Sequence, residues 1–168
     1  MLRLMAADPT PQPATVPEFD SPEQEVFLNL GRTYSRLRAL ADELFGRHEL
    51  TAQQYHALWL LRDAHPQSLP TIVLAKRLLS RAPDITRLVD KLVQRHLVVR
   101  ERRRRCRQGT TRVGITATGL ALLEALVEPL RVCHARQVGH LSRSDLLQLC
   151  ALLRAAREPH EDAYSSWC

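Results

Sequence analysis

The sequence predicts a mainly α-helical domain with one basic β-hairpin past its middle. Three observations carry that expectation. Apolar residues recur three or four positions apart through most of the chain. Aromatic residues make up only 5% of a composition that is 45% hydrophobic, so the core must be built largely of Leu, Val and Ala, a mix that favours helices. The helical spacing gives way between Leu97 and Thr116, where two-residue alternation flanks a run of arginines. A length of 168 residues fits one compact domain with helical extensions.

Residues 1–20 hold four prolines and no helical period, so they read as a flexible arm. The rest, 21–160, reads as a single domain, with 161–168 as a flexible tail. A helix starts where Ser21 can cap, Pro22 takes the first position and Glu23 and Glu25 meet the positive end of the helix dipole. Phe27, Leu30, Tyr34, Leu37, Leu40 with Ala41, and Leu44 share one face, and the helix should run to about Gly46. A second helix opens at Thr51 and carries Tyr55, Leu58, Trp59 and Leu61 with Arg62 on successive turns, until Pro66 and Gln67-Ser68 end it.

A short helix, "PTIVLAKRLL", comes next, followed by a break at Leu79-Ser80 and then "RAPDITRLVDKLVQRH". Pro83 is tolerated only near a helix start, so this fourth helix should begin between Ser80 and Pro83. Ile85, Leu88, Val89 and Leu92 face inward, and Arg87, Lys91 and Arg95 line the outer side. Strands are expected near Leu97–Arg102 and Thr111–Ile115, making a β-hairpin around the arginine-rich loop. Thr116 caps a long helix with Leu120, Leu123, Leu126 with Val127, and Leu130 in register. Ser142 or Ser144 caps a last one, with Leu146, Leu149 and Leu153.

Charge is concentrated in this middle region. From Pro70 to Arg112 there are 13 Lys or Arg against 3 Asp or Glu, whereas the other 125 residues hold 11 basic and 15 acidic side chains. A segment at +10 inside a chain of net +6 is the footprint expected of a nucleic-acid surface. Two short helices joined by a tight turn, the second presenting cations, form a helix-turn-helix whose second helix fits the DNA major groove. The following hairpin is its wing. The expected fold class is therefore mainly α: a winged helix-turn-helix over residues 50–116, flanked by N- and C-terminal helices at 21–46 and 117–158.

The residues expected to meet double-stranded DNA are Ser80, Arg81, Asp84, Thr86 and Arg87 on the early part of the fourth helix, and Lys91 one turn on. Arg102, Arg103, Arg104, Arg105 and Arg107 of the hairpin are expected to meet phosphates or a narrow minor groove. Competing readings stand beside these: the helix cations as a solvated face, Asp84 and Asp90 as helix-end and salt-bridge groups, and Thr86 as a packing residue.

The stretches "LTAQQYHALWLL", "LAKRLLSRAPDITRLVDKLVQRHLVVR" and "ITATG" resemble the MarR family of winged-helix transcriptional regulators, from about Leu50 to Gly119. The resemblance implies a homodimer whose interface uses the first helix and the last two, with one recognition helix per subunit on DNA. It also implies a small aromatic or carboxylate effector between the dimer base and the DNA-binding region, where Tyr34, Arg38, His56 and Trp59 are candidates. For Tyr34 and Trp59 a core role fits equally well. Four positions depart from the family pattern. Its wing carries Asp-x-Arg where this chain has Arg107 and Gly109, and glycines of the inter-helix turn and of the recognition-helix end are Leu79 and His96.

Other chemistry finds little support in the sequence. No nucleophile–base set, phosphate loop or metal pair is visible, so neither an enzyme, nor a cofactor, nor a metal site is expected. The apolar runs fall short of the roughly 18 residues of a membrane span, and a cytoplasmic location is expected by default. Cys133 and Cys150 look like small core residues, while Cys106 sits among cations that favour its thiolate, making it a candidate redox sensor. The expectation is thus a repressor acting as a homodimer on a pseudo-palindromic operator. The alternative is a degenerate winged helix serving as a protein-interaction adapter or antirepressor.

Overall fold

A computed structural model describes residues 19–78, 84–102 and 111–161. Its elements are α1 (Pro22–Arg47), α2 (Ala52–Ala64), β1 (Leu69–Pro70), α3 (Thr71–Arg77), α4 (Ile85–Gln94), β2 (Val98–Arg102), β3 (Thr111–Ile115), α5 (Ala117–Val138) and α6 (Arg143–Arg157), closed by a 3-10 turn at Glu158–His160. The chain divides into two units at Ser35/Arg36, a boundary that falls within α1.

The first unit contains the beginning of α1. The Gln24 amide donates to Ser21 Oγ at 3.2 Å, the cap expected there, and Phe27 is exposed at 74%.

In the second unit a core of leucines and valines draws on α2, α3, α4, both hairpin strands and α5, with Leu58, Leu61, Leu74, Leu92, Leu126, Val89, Val98 and Val113 fully buried. Burying a Leu or Val side chain is worth about 1.5–3 kcal/mol. Phe45 at the end of α1 stacks on Tyr55 of α2 with ring centroids 4.8 Å apart. Thr51 and Gln54 form a reciprocal capping box at the start of α2, and Thr116 and Ser142 cap α5 and α6.

Two helices end alike without glycine. At the end of α1 the amides of Leu50 and Glu49 donate to the carbonyls of Phe45 and Gly46; at the end of α4 those of Leu97 and His96 donate to Leu92 and Val93. Both are Schellman caps, which place one residue in the left-handed region. Glu49 and His96 take that position, at φ 53° and 57°. His96, where the resembled family has glycine, therefore keeps the conformation that glycine would supply.

The hairpin belongs to a three-stranded antiparallel sheet in the order β1-β3-β2. Val98 pairs with Ile115 and Arg102 with Thr111, and on the other edge Leu69 pairs with Val113 and Pro70 with Arg112. Strand β1 was not expected: two residues, one of them proline, leave no alternation to read. Gly119, in the first turn of α5, permits a close approach. A Cβ there would collide with the Leu97 carbonyl oxygen and lie 2.7 Å from Ile115 Cγ1.

Three expectations are corrected. Helix α4 begins at Ile85 behind Asp84, not between Ser80 and Pro83, because the Asp84 side chain supplies the cap. Cys133 is buried but Cys150 is exposed, since no residue of α6 is buried in the single chain. Arg95 does not lie free on the outer side of α4. Its guanidinium donates to the carbonyls of Glu49 at 2.6 Å and His48 at 3.1 Å, stapling the end of α4 to the cap of α1.

Candidate nucleic-acid interface

Helix α4 has two chemically distinct faces. Leu88, Val89 and Leu92 are buried, which turns Thr86, Arg87 and Lys91 outward. Asp84 Oδ1 accepts from the Arg87 amide at 2.9 Å, so the carboxylate satisfies a backbone donor while the Arg87 side chain remains exposed. Arg87 and Lys91 are one turn apart on the same face, so that face carries two neighbouring cations. Asp84 thus serves as a cap and lies at the start of that face.

The hairpin is attached to this helix by Arg100, which the sequence reading left aside. Its guanidinium lies 2.6 Å from Asp90 Oδ1 and donates to the Thr86 carbonyl at 3.2 Å. The other edge is held by Thr71, whose hydroxyl donates to the Thr111 carbonyl at 3.0 Å. Arg112 donates to Ser68, in turn a donor to Glu101. Three arginines of the basic segment, Arg95, Arg100 and Arg112, are therefore engaged by partners within the protein. Only their partners, far away in sequence, could have separated them from arginines turned outward.

Thr86, Arg87 and Lys91 are brought together with the root of the hairpin, and Arg102 closes β2 opposite Thr111. Ser80, Arg81, Arg103, Arg104, Arg105 and Arg107 lie outside the described residues, as do Leu79, Cys106 and Gly109.

Of the effector candidates, Tyr34 is exposed in the first unit. In the second, Arg38 pairs with Asp42 at 3.2 Å. The His56 ring is buried and stacks on Trp59, centroids 6.1 Å apart, and the Arg62 guanidinium lies 5.9 Å from the Trp59 ring. Burial lowers the His56 pKa below the ordinary imidazole value, disfavouring the charged ring. Arg62, which the helical spacing places beside Leu61 on the same turn, adds a cation to this aromatic pair. Among the described residues no cluster of three His, Cys, Asp or Glu fits a metal ion, and no helix is long and apolar enough to cross a membrane.

The MarR family model matches residues 50–106. No curated protein sequence matches the chain. A MarR transcription factor from Planctomyces limnophilus is 46% identical over 82% of this chain and 99% of its own, with a TM-score of 0.65. Bordetella bronchiseptica BpsR, described in terms of regulation of its DNA binding by 6-hydroxynicotinic acid, is 24% identical over 83% of this chain and 99% of its own (TM-score 0.66). A mutant E. coli MarR complexed with operator DNA is 22% identical over 79% of this chain and 93% of its own (TM-score 0.69). The last two are evidence of shared fold. The first, at 46% identity across almost its whole length, shows descent. This chain belongs to the MarR family of transcription regulators, with that family's DNA-binding winged-helix fold.

Proposed function

We propose that the protein is a cytoplasmic, sequence-specific repressor that binds a pseudo-palindromic operator as a homodimer, and has no enzymatic activity of its own. The observation that carries this reading is the outward face of α4. Thr86, Arg87 and Lys91 stand exposed on a capped helix, beside a hairpin in the segment where 13 basic residues meet only 3 acidic ones. Base edges are read by Arg87, Thr86, Ser80 and Arg81, and phosphates are met by Lys91 and the wing arginines Arg102, Arg103, Arg104, Arg105 and Arg107. The E. coli relative bound to operator DNA supports this placement.

The homodimer rests on α6. Leu149 and Leu153, one turn apart, are 39% and 37% exposed in the single chain, an apolar face that a monomer would leave in water. A second copy covering it places two reading helices on two half-sites. The B. bronchiseptica relative supports regulation by a small aromatic carboxylate. Here His56, Trp59 and Arg62 offer an aromatic stack with a cation, with Arg38 as a further candidate.

The test is selection of bound fragments from the source genome, then titration of the selected and a scrambled duplex at several salt concentrations. A specific regulator prefers the selected site by about 10³-fold or more, as a species of twice the 19.1 kDa chain mass in sedimentation. Equal, salt-erased affinity for both duplexes would instead identify a protein-interaction adapter.

A further inference from the structure

Ser68 stands immediately before β1 and is buried, with 8% of its surface exposed. Two charged side chains of the hairpin converge on it. Its hydroxyl donates to Glu101 Oε2 at 2.9 Å, and Arg112 donates to the same hydroxyl oxygen at 3.0 Å and again to the Ser68 carbonyl. Glu101 and Arg112 face each other in the β2–β3 register, yet Glu101 reaches an edge two strands away, because β3 lies between β2 and β1. Gly114 opens the way. A Cβ on it would meet Ser68 Cβ at 3.6 Å and Glu101 Oε1 at 3.8 Å, so the branches of a larger side chain would fill the passage.

The backbone alone attaches the hairpin weakly at this edge. Strand β1 has two residues, and one is Pro70, which has no amide hydrogen to donate. Glu101 is also the one acidic residue between Arg100 and Arg112. A carboxylate in a surface that meets phosphates opposes binding by its charge, so its contribution must come through geometry.

We propose that Ser68, Glu101 and Arg112 are positioning residues for DNA binding. Their hydrogen-bonded chain fixes the angle between the β2–β3 hairpin and the α3–α4 pair, so that both meet one duplex together. This rests on the reading that the chain binds DNA.

Charge and geometry predict opposite signs for one substitution. By charge alone, Glu101→Ala removes a repulsion and tightens DNA binding. By positioning, it weakens binding about tenfold near physiological salt and shallows the log K against log salt slope by about 1–2 units, as roughly that many phosphate contacts are lost. Glu101→Gln keeps an oxygen for the Ser68 hydroxyl and loses the charge, so it should bind at least as well as wild type. Ser68→Ala removes the shared hydroxyl at constant charge and should match Glu101→Ala, which keeps the test decisive if the latter folds poorly. On the full-length protein without DNA, amide dipolar couplings should show the hairpin reoriented against α4 in Glu101→Ala and Ser68→Ala, and restored in Glu101→Gln. Unchanged couplings would overturn the proposal, as would tighter DNA binding by a folded Glu101→Ala protein. Wild-type protein that binds no duplex would sink the DNA-binding reading instead, and the couplings would still decide whether this chain of hydrogen bonds sets the hairpin's angle.

Discussion

Arg100 of β2 and Asp90 of α4 form an ion pair at 2.6 Å that joins the hairpin to the recognition helix. Arg100 also donates to the Thr86 carbonyl one turn earlier, so a single guanidinium spans the middle of α4. Both side chains are about a third to a half exposed, and solvent screens the pair. A double-mutant cycle of Arg100→Met and Asp90→Asn in urea unfolding should give a coupling of about 1 kcal/mol at low salt. Near 1 M salt the coupling should shrink. No coupling at low salt would make the contact incidental.

The buried His56 imposes a pH dependence on stability. Its pKa is lowered in the folded chain by desolvation, so between that value and the unfolded value the unfolded state binds more protons. Stability is therefore fully present above the unfolded value of about 6.5 and falls as pH drops below it, through the folded pKa. Urea midpoints at pH 7.5, 6.5 and 5.5 should decrease in that order for wild type. In His56→Gln the decrease should be smaller, and an equal decrease would assign it to other groups.

Arg87→Ala leaves the amide that Asp84 caps intact, so the helix should persist. If the side chain makes a bidentate base contact, the change weakens operator binding by about 1–3 kcal/mol per half-site and blurs preference at one base pair. Titration against a panel of single-base operator variants would reveal it. Binding unchanged in strength and in preference would remove α4 as the reader.

Replacing Arg103, Arg104 and Arg105 together by Ala should act through phosphates. Each lost contact releases fewer counterions, and the salt slope should become shallower by about 2–3 units per engaged wing. Preference for operator over scrambled DNA should survive. Identical slopes would leave these arginines idle, and a loss confined to the operator would make the hairpin a base reader.

What the sequence revealed was local. Ser21, Thr51, Thr116 and Ser142 are legible as caps because a short polar side chain acts on an amide three residues ahead. The hairpin is legible because alternation resumes at Thr111. Contacts between distant residues were not. Strand β1 exists because β3 offers it an edge, and Ser68 finds Glu101 and Arg112 at separations of 33 and 44 residues. Arg87 and Arg95 look alike in the sequence as outward cations, yet Arg87 stays exposed while Arg95 donates to the carbonyls at the end of α1. Asp84 could be read as either a cap or a DNA contact until the start of α4 was placed at Ile85.

The bare α-carbon of Gly119 has a mechanical consequence. It seats the first turn of α5 against the Leu97 carbonyl, which accepts from the Thr116 amide at 3.1 Å, while the Thr116 hydroxyl donates to the His96 carbonyl at 2.7 Å. The exit of α4, the end of β3 and the start of α5 thus share one tightly packed corner. Gly119→Ala should wedge that corner open, costing about 1–3 kcal/mol in urea unfolding through overpacking.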